Sequence, residues 1–136
     1  MCSEHWLSYV WCDIIHGMKR NIYDKLLEWK RESADKSALL VEGARRVGKS
    51  WIVEEFAKNE YKKFLIIDFA KTNRKIKELF EEKLDNLDEF FMLLEARTRT
   101  ELIRGETLIV FDEVQRFPRA REAIKYLVKD GRFHYI

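Results

Sequence analysis

Residues 43–50 read Gly-Ala-Arg-Arg-Val-Gly-Lys-Ser, a glycine followed after four residues by Gly-Lys-Ser. In this pattern the glycines let the backbone turn its N–H groups toward a phosphate, and the helix that follows points its positive dipole end at the same place. The lysine reaches the β- and γ-phosphates, and the serine hydroxyl binds Mg²⁺. The predicted phosphate-binding residues are Gly43, Ala44, Arg45, Arg46, Val47, Gly48, Lys49 and Ser50, with Lys49 also catalytic and Ser50 also a metal ligand.

Two adjacent carboxylates, Asp112 and Glu113, follow the apolar run 108–111. A buried parallel strand that ends here would place Asp112 at the carboxyl edge of the sheet, where Mg²⁺ would lie near Ser50. Glu113 could then orient or deprotonate an attacking water. Acidic residues often follow strands, so the pair alone is a weak signal. Together with the loop 43–50, it predicts Asp112 as a metal ligand and Glu113 as a catalytic residue.

Strands and helices alternate along the chain. The predicted strands are residues 37–42, 64–69, 107–111 and 133–136; the predicted helices are residues 22–30, 49–58, 73–97 and 119–129. We expect the segment 73–97 to form two helices with a break at Asp85 and Asn86, and Gly131 to end the last helix. This alternation indicates βαβ units with a parallel sheet, and therefore an α/β fold.

Composition excludes several classes of protein. The chain has 136 residues, of which 46% are hydrophobic, enough for one core. Charged residues make up 37%, yet the formal net charge is only +2, which argues against a dedicated nucleic-acid-binding module. No apolar run approaches the roughly 20 residues of a membrane span. We expect a soluble, cytoplasmic protein with no membrane partner.

The first 17 residues contain no lysine or arginine, whereas the rest of the chain contains all 26. Glu4, His5 and Asp13 interrupt the apolar residues, so this segment does not fit a secretory signal. Both cysteines, Cys2 and Cys12, lie here at a spacing that matches no common zinc site. We interpret residues 1–17 as an extension outside the domain, and residues 18–136 as the domain.

Several nucleotide-binding classes can be set aside. The sequence lacks the N-K-x-D and D-x-x-G motifs of GTPases and the L-S-G-G-Q signature of transporter ATPases. It resembles the prokaryotic AAA+ ATPases that carry an uncharacterised, nuclease-like C-terminal domain. The similar stretches are residues 18–29, 43–50, 112–118 and 131–133. The resemblance implies a three-layer αβα sandwich of the P-loop NTPase type that uses ATP and Mg²⁺.

In that family the last predicted strand leads into a polar sensor motif, a further strand and a helical lid. We expect this chain to be an N-terminal fragment that stops short of them. An arginine finger would come from a neighbouring subunit or the missing part, so we expect weak hydrolysis or none. The sequence leaves open whether the protein forms a homo-oligomer and whether it binds a protein or DNA partner.

Alternatives remain at several residues. Arg45 and Arg46 contact phosphate, or they are exposed charges or pack against the first helix. Gln115 reads the γ-phosphate or is structural. A non-catalytic remnant would keep the fold without the activity. A nucleic-acid-binding module is a further alternative. It would use Lys71, Arg74, Lys75, Arg97, Arg99, Arg104, Arg116, Arg119 and Arg121, and its binding would depend steeply on salt.

Overall fold

The order of elements alternates between strand and helix over most of the chain. The computed structural model describes residues 6–10, 19–42 and 49–136, and the side chains of residues 22–40 and 51–136. The elements are β1 (Trp6–Val10), α1 (Lys19–Glu32), β2 (Ala38–Glu42), α2 (Lys49–Glu60), β3 (Lys63–Asp68), α3 (Arg74–Glu82), α4 (Leu87–Thr98), β4 (Thr107–Asp112), a 3₁₀ turn (Val114–Arg116), α5 (Pro118–Asp130) and β5 (His134–Tyr135).

Local side chains fix where the helices begin and end. The Asn73 side chain accepts a hydrogen bond from the backbone N of Ile76 at 3.1 Å and begins α3. Asn86 accepts one from Glu89 N at 3.2 Å and begins α4, so the predicted division of the segment 73–97 is confirmed. Gly131, with φ of 80°, ends α5 as predicted, because glycine adopts this left-handed conformation without steric cost.

The strands pair in parallel. β4 lies between β3 and β5, with Asp68 of β3 opposite Asp112 of β4, and Leu108 of β4 opposite His134 of β5. β1 pairs in parallel with β2, with Trp6 opposite Ala38. The predicted α/β class with a parallel sheet is confirmed.

Alternate residues of β4 enter two different hydrophobic clusters. Leu108 and Val110 pack with buried residues of α1 and α2, whereas Ile109 and Phe111 pack with those of α3, α4 and α5. Successive side chains of a strand point to opposite faces of the sheet. The sheet therefore lies between two layers of helices, which is the three-layer arrangement.

Hydrogen bonds join the segments that lead into three strands. His134, at the start of β5, lies 2.6 Å through Nδ1 from the Tyr61 hydroxyl, and 2.9 Å through Nε2 from Asp35 Oδ1. Asp35 precedes β2, and Tyr61 precedes β3. Because the segments before β2, β3 and β5 meet at one edge, these strands run in the same direction. Within the described residues the strands form two sheets, β1–β2 and β3–β4–β5.

The strand β1 was not predicted. It lies inside the segment 1–17, which the sequence analysis places outside the domain, and its backbone pairs with β2. The boundary at Met18 stays a prediction.

Candidate functional site

The predicted phosphate-binding loop connects β2 to α2. β2 ends at Glu42 and α2 begins at Lys49, so the strand before the loop and the helix after it are both formed. This is the strand–loop–helix context that the motif requires. Gly43, Ala44, Arg45, Arg46, Val47 and Gly48 lie outside the described residues, as do the side chains of Lys49 and Ser50. Their roles stay predictions.

Buried side chains hold helix α2, which begins directly after this loop, against the rest of the protein. Phe56 and Ala57 are fully buried, and the Phe56 ring meets the Tyr23 ring of α1 edge-on, with centroids 5.7 Å apart. The first turn contains no acidic residue. The positive end of the helix dipole therefore has no carboxylate of that turn to neutralise it, which suits an anion. Trp51, in the same turn, is 53% exposed.

Two carboxylates end neighbouring strands at the carboxyl edge of the sheet. Asp112 is the last residue of β4 and lies opposite Asp68, the last residue of β3. Asp68 Oδ1 accepts a hydrogen bond from Ala70 N at 2.9 Å, and the Asp112 carbonyl accepts one from Phe69 N at 2.9 Å. Asp68 was not among the predicted site residues. Its signal is a carboxylate directly after the apolar run 64–67, the pattern by which Asp112 was found.

Glu113 lies in a tight turn that follows β4. Its backbone is left-handed, with φ of 57° and ψ of 37°, a conformation that is uncommon outside glycine. Its carboxylate accepts hydrogen bonds from two side chains of the same turn. Gln115 Nε2 lies 2.7 Å from Glu113 Oε2, and Arg116 Nε lies 3.3 Å from the same oxygen. Gln115 is therefore bonded to Glu113 in the described structure.

Packing beneath the turn holds it in place. Val114 is buried, and the Phe117 ring stacks on Phe69 with centroids 5.6 Å apart and planes at 18°. Phe69 also meets Phe80 and Phe111 edge-on, at 5.5 and 5.6 Å. The turn thus has apolar side chains on both sides of Gln115 and Arg116, with Val114 buried and Phe117 partly buried.

The Glu113–Arg116 ion pair is too weak to offset the cost of the left-handed backbone at Glu113. A left-handed conformation costs a residue other than glycine roughly 1–2 kcal/mol. An exposed salt bridge contributes roughly 0.2–1 kcal/mol, and the Arg116 side chain is 53% exposed. The packing of Val114 and Phe117 must therefore offset the rest. Backbone strain of this kind concentrates at functional sites.

The available oxygen ligands fit a nucleotide-bound Mg²⁺. Within the described ranges, no group of three or more His, Cys, Asp or Glu side chains could hold a metal ion. Magnesium at nucleotide sites uses only one or two carboxylates and completes its coordination with phosphate and water oxygens. Asp112 and the Ser50 hydroxyl are a donor set of that size.

Among the described residues, four of the nine candidate nucleic-acid-binding cations make side-chain contacts, one of them Arg74, whose Nε lies 3.6 Å from Glu78 Oε1. Arg97 Nη1 donates to the Lys75 carbonyl at 2.7 Å, and Arg119 Nε donates to the Phe80 carbonyl at 3.3 Å. Arg116 binds Glu113.

In the described part of the chain, no helix is long and apolar enough to cross a bilayer.

A comparison with protein families shows to which family this chain belongs. A family model described as an AAA domain matches residues 35–136, which is most of the chain. The chain belongs to the AAA domain family. It is therefore a nucleotide-binding domain of the ATPase type, and the resemblance to AAA-type P-loop ATPases is confirmed at that level. Comparisons with curated proteins and with solved structures give no match.

The AAA domain match begins at Asp35, in the turn before β2, and includes both predicted motifs. It therefore covers the loop 43–50, the Asp112–Glu113 pair and every strand from β2 to β5. A nuclease-like C-terminal domain stays an expectation drawn from the resemblance alone.

Proposed function

We propose that this AAA domain binds ATP with Mg²⁺ through the loop 43–50 and Asp112, and that its own hydrolysis is weak. The observation that carries the proposal is the junction of β2 and α2. A formed strand and a formed helix bracket the complete Gly-x4-Gly-Lys-Ser sequence, and β4 ends in Asp112. Helix N-termini and turns of this kind bind phosphate through backbone N–H groups.

Each predicted side chain has a distinct role in the proposal. Lys49 binds the β- and γ-phosphates, and the backbone of residues 43–48 surrounds them. Ser50 and Asp112 hold Mg²⁺, which neutralises charge on the phosphate oxygens when bound. Glu113 accepts a proton from the attacking water.

Calorimetry of the full chain tests nucleotide binding. We expect ATP with Mg²⁺ to bind more tightly than AMP, because most of the predicted contacts are to the β- and γ-phosphates. Lys49→Ala should weaken ATP binding by about 10- to 100-fold, the value of a charge-assisted hydrogen bond of roughly 1.5–3 kcal/mol. Lys58→Ala, in the last turn of the same helix, is the matched control. Equal affinities for ATP and AMP would contradict the proposal.

A second measurement distinguishes the role of Asp112 from that of Glu113. Asp112→Ala should weaken ATP binding only when Mg²⁺ is present. Glu113→Gln should leave ATP affinity intact and remove hydrolysis, because the amide keeps the shape of the side chain but cannot accept the proton. Single-turnover phosphate release measures the second effect. Hydrolysis that persists unchanged in Glu113→Gln would remove Glu113 from the mechanism.

We propose self-association as well, because a neighbouring subunit is one of the two sources of an arginine finger that the resemblance allows. Sedimentation with and without ATP tests it. We expect ATP to shift the chain toward oligomers, and an unchanged monomer at high protein concentration would contradict this.

A further inference from the structure

The turn that carries Glu113 also carries two groups that hold its carboxylate. Gln115 Nε2 and Arg116 Nε both donate to Glu113 Oε2, at 2.7 and 3.3 Å. Main-chain bonds close the same turn, with Arg116 N donating to the Glu113 carbonyl and Phe117 N to the Val114 carbonyl, each at 3.0 Å. One carboxylate oxygen is therefore fixed from two directions.

The Glu113 carboxylate is more enclosed than the carboxylate of a fully exposed ion pair. The Glu113 side chain is only 25% exposed, whereas the members of the surface pair Arg31–Glu32 are 72% and 57% exposed. The left-handed backbone of Glu113 sets the direction in which its side chain leaves the strand. Burial of Val114 then fixes the turn to which both donors belong.

We propose that Gln115 and Arg116 are positioning residues for ATP hydrolysis. They hold Glu113 by Oε2 and leave Oε1 to take the proton of the attacking water. The inference rests on the proposed function, because it assigns a task to residues beside the same nucleotide site.

The step that they support is balanced as follows. The water oxygen forms a bond to the γ-phosphorus while its proton passes to Glu113 Oε1. The bond between the γ-phosphorus and the bridging oxygen breaks, and ADP leaves with that electron pair. Glu113 then returns its proton to the released phosphate or to solvent. Fixing Oε2 limits rotation of the carboxylate, so Oε1 keeps its orientation toward the water.

Single-turnover hydrolysis and ATP affinity of the full chain test the inference together. We expect Gln115→Ala and Arg116→Ala each to lower the hydrolysis rate about tenfold, part of the contribution of a general base, with ATP affinity unchanged within about twofold. Arg116→Lys keeps the charge and should recover part of the loss. Arg31→Ala removes an arginine from an exposed pair with a glutamate and should change neither quantity.

The outcomes separate this inference from nucleotide binding itself. Unchanged or faster hydrolysis in Gln115→Ala and Arg116→Ala would overturn it, and so would a loss of ATP affinity that accounts for the slower rate. If the unchanged chain binds ATP without any hydrolysis, the inference falls and the binding proposal stands. If the unchanged chain does not bind ATP, the proposed function itself fails. Melting curves confirm that each variant is folded.

Discussion

Two buried tyrosine hydroxyls differ in their hydrogen bonding. The Tyr61 hydroxyl lies 2.6 Å from His134 Nδ1, whereas the Tyr135 hydroxyl has no hydrogen-bond partner within the part of the chain that the structure describes. Losing a bonded hydroxyl costs about 1 kcal/mol, whereas losing an unpartnered one removes only an uncompensated desolvation penalty. We expect Tyr61→Phe to lower the free energy of unfolding by about 1 kcal/mol, and Tyr135→Phe to leave it unchanged or raise it. Urea denaturation measures both, and equal losses would contradict the contrast.

The same two hydroxyls predict how stability depends on alkaline pH. Burial raises the pKa of Tyr61 and of Tyr135 above the ordinary value of 10.0. Above that pH the unfolded chain releases these protons while the folded chain keeps them. The stabilisation is therefore complete below pH 10 and decreases as pH rises, by up to about 1.4 kcal/mol per pH unit for each group.

Urea denaturation between pH 8 and pH 11 checks this dependence. The variant with both Tyr61→Phe and Tyr135→Phe should show a flatter decline above pH 10 than the unchanged chain. Tyr126→Phe alters a tyrosine that is 54% exposed and should leave the decline as it is. An equal slope in all three proteins would show that the buried tyrosines do not cause it.

The sequence predicts where Asp112 and Glu113 lie in the fold better than the backbone conformation that they adopt. Asp112 and Glu113 follow from an apolar run that ends in acids, and the structure places Asp112 at the end of β4. The left-handed backbone of Glu113 could not be predicted, because it depends on the packing of Val114 and Phe117 against distant residues such as Phe69. A residue other than glycine gives no local signal for such a conformation.

Among the helices, α4 ends at a strained residue. Arg99, its C-cap, has φ of 55° and is exposed to solvent. Glycine is the preferred residue at such helix ends, because it adopts this conformation without a steric penalty. We expect Arg99→Gly to raise the free energy of unfolding by roughly 0.5–1 kcal/mol, measured by chemical denaturation. Arg99→Ala keeps the strain, so a similar gain there would refute the explanation.

Local signals predicted most elements within a few residues. Asn86 marks the break between α3 and α4, and Gly131 marks the end of α5, because caps and left-handed glycines act within one turn. β1 was missed. Its sequence, Trp-Leu-Ser-Tyr-Val, suits a strand, but its partner β2 lies far along the chain, and composition carries no signal for such pairing.

At the scale of the whole molecule, the boundary at Met18 is open to measurement. If residues 1–17 lie outside the domain, we expect a chain that begins at Met18 to keep its free energy of unfolding within about 1 kcal/mol, the effect of a neutral surface change. The parallel pairing of β1 with β2 favours the opposite result, because removal of residues 1–17 would break the five residue pairs between the two strands. A larger loss in chemical denaturation would place residues 6–10 inside the domain.

The position of β5 has a consequence for synthesis on the ribosome. β5 is the last strand in chain order, yet His134 contacts Asp35, which is 99 residues earlier. The backbone of Ile136 also bonds to Ile109 and Phe111 of β4. A nascent chain emerges from its amino end and folds as it appears, so β2, α2 and the loop between them leave the ribosome before these contacts can form. The contacts of His134 and Ile136 with Asp35 and β4 therefore form only after residue 136 has left the ribosome.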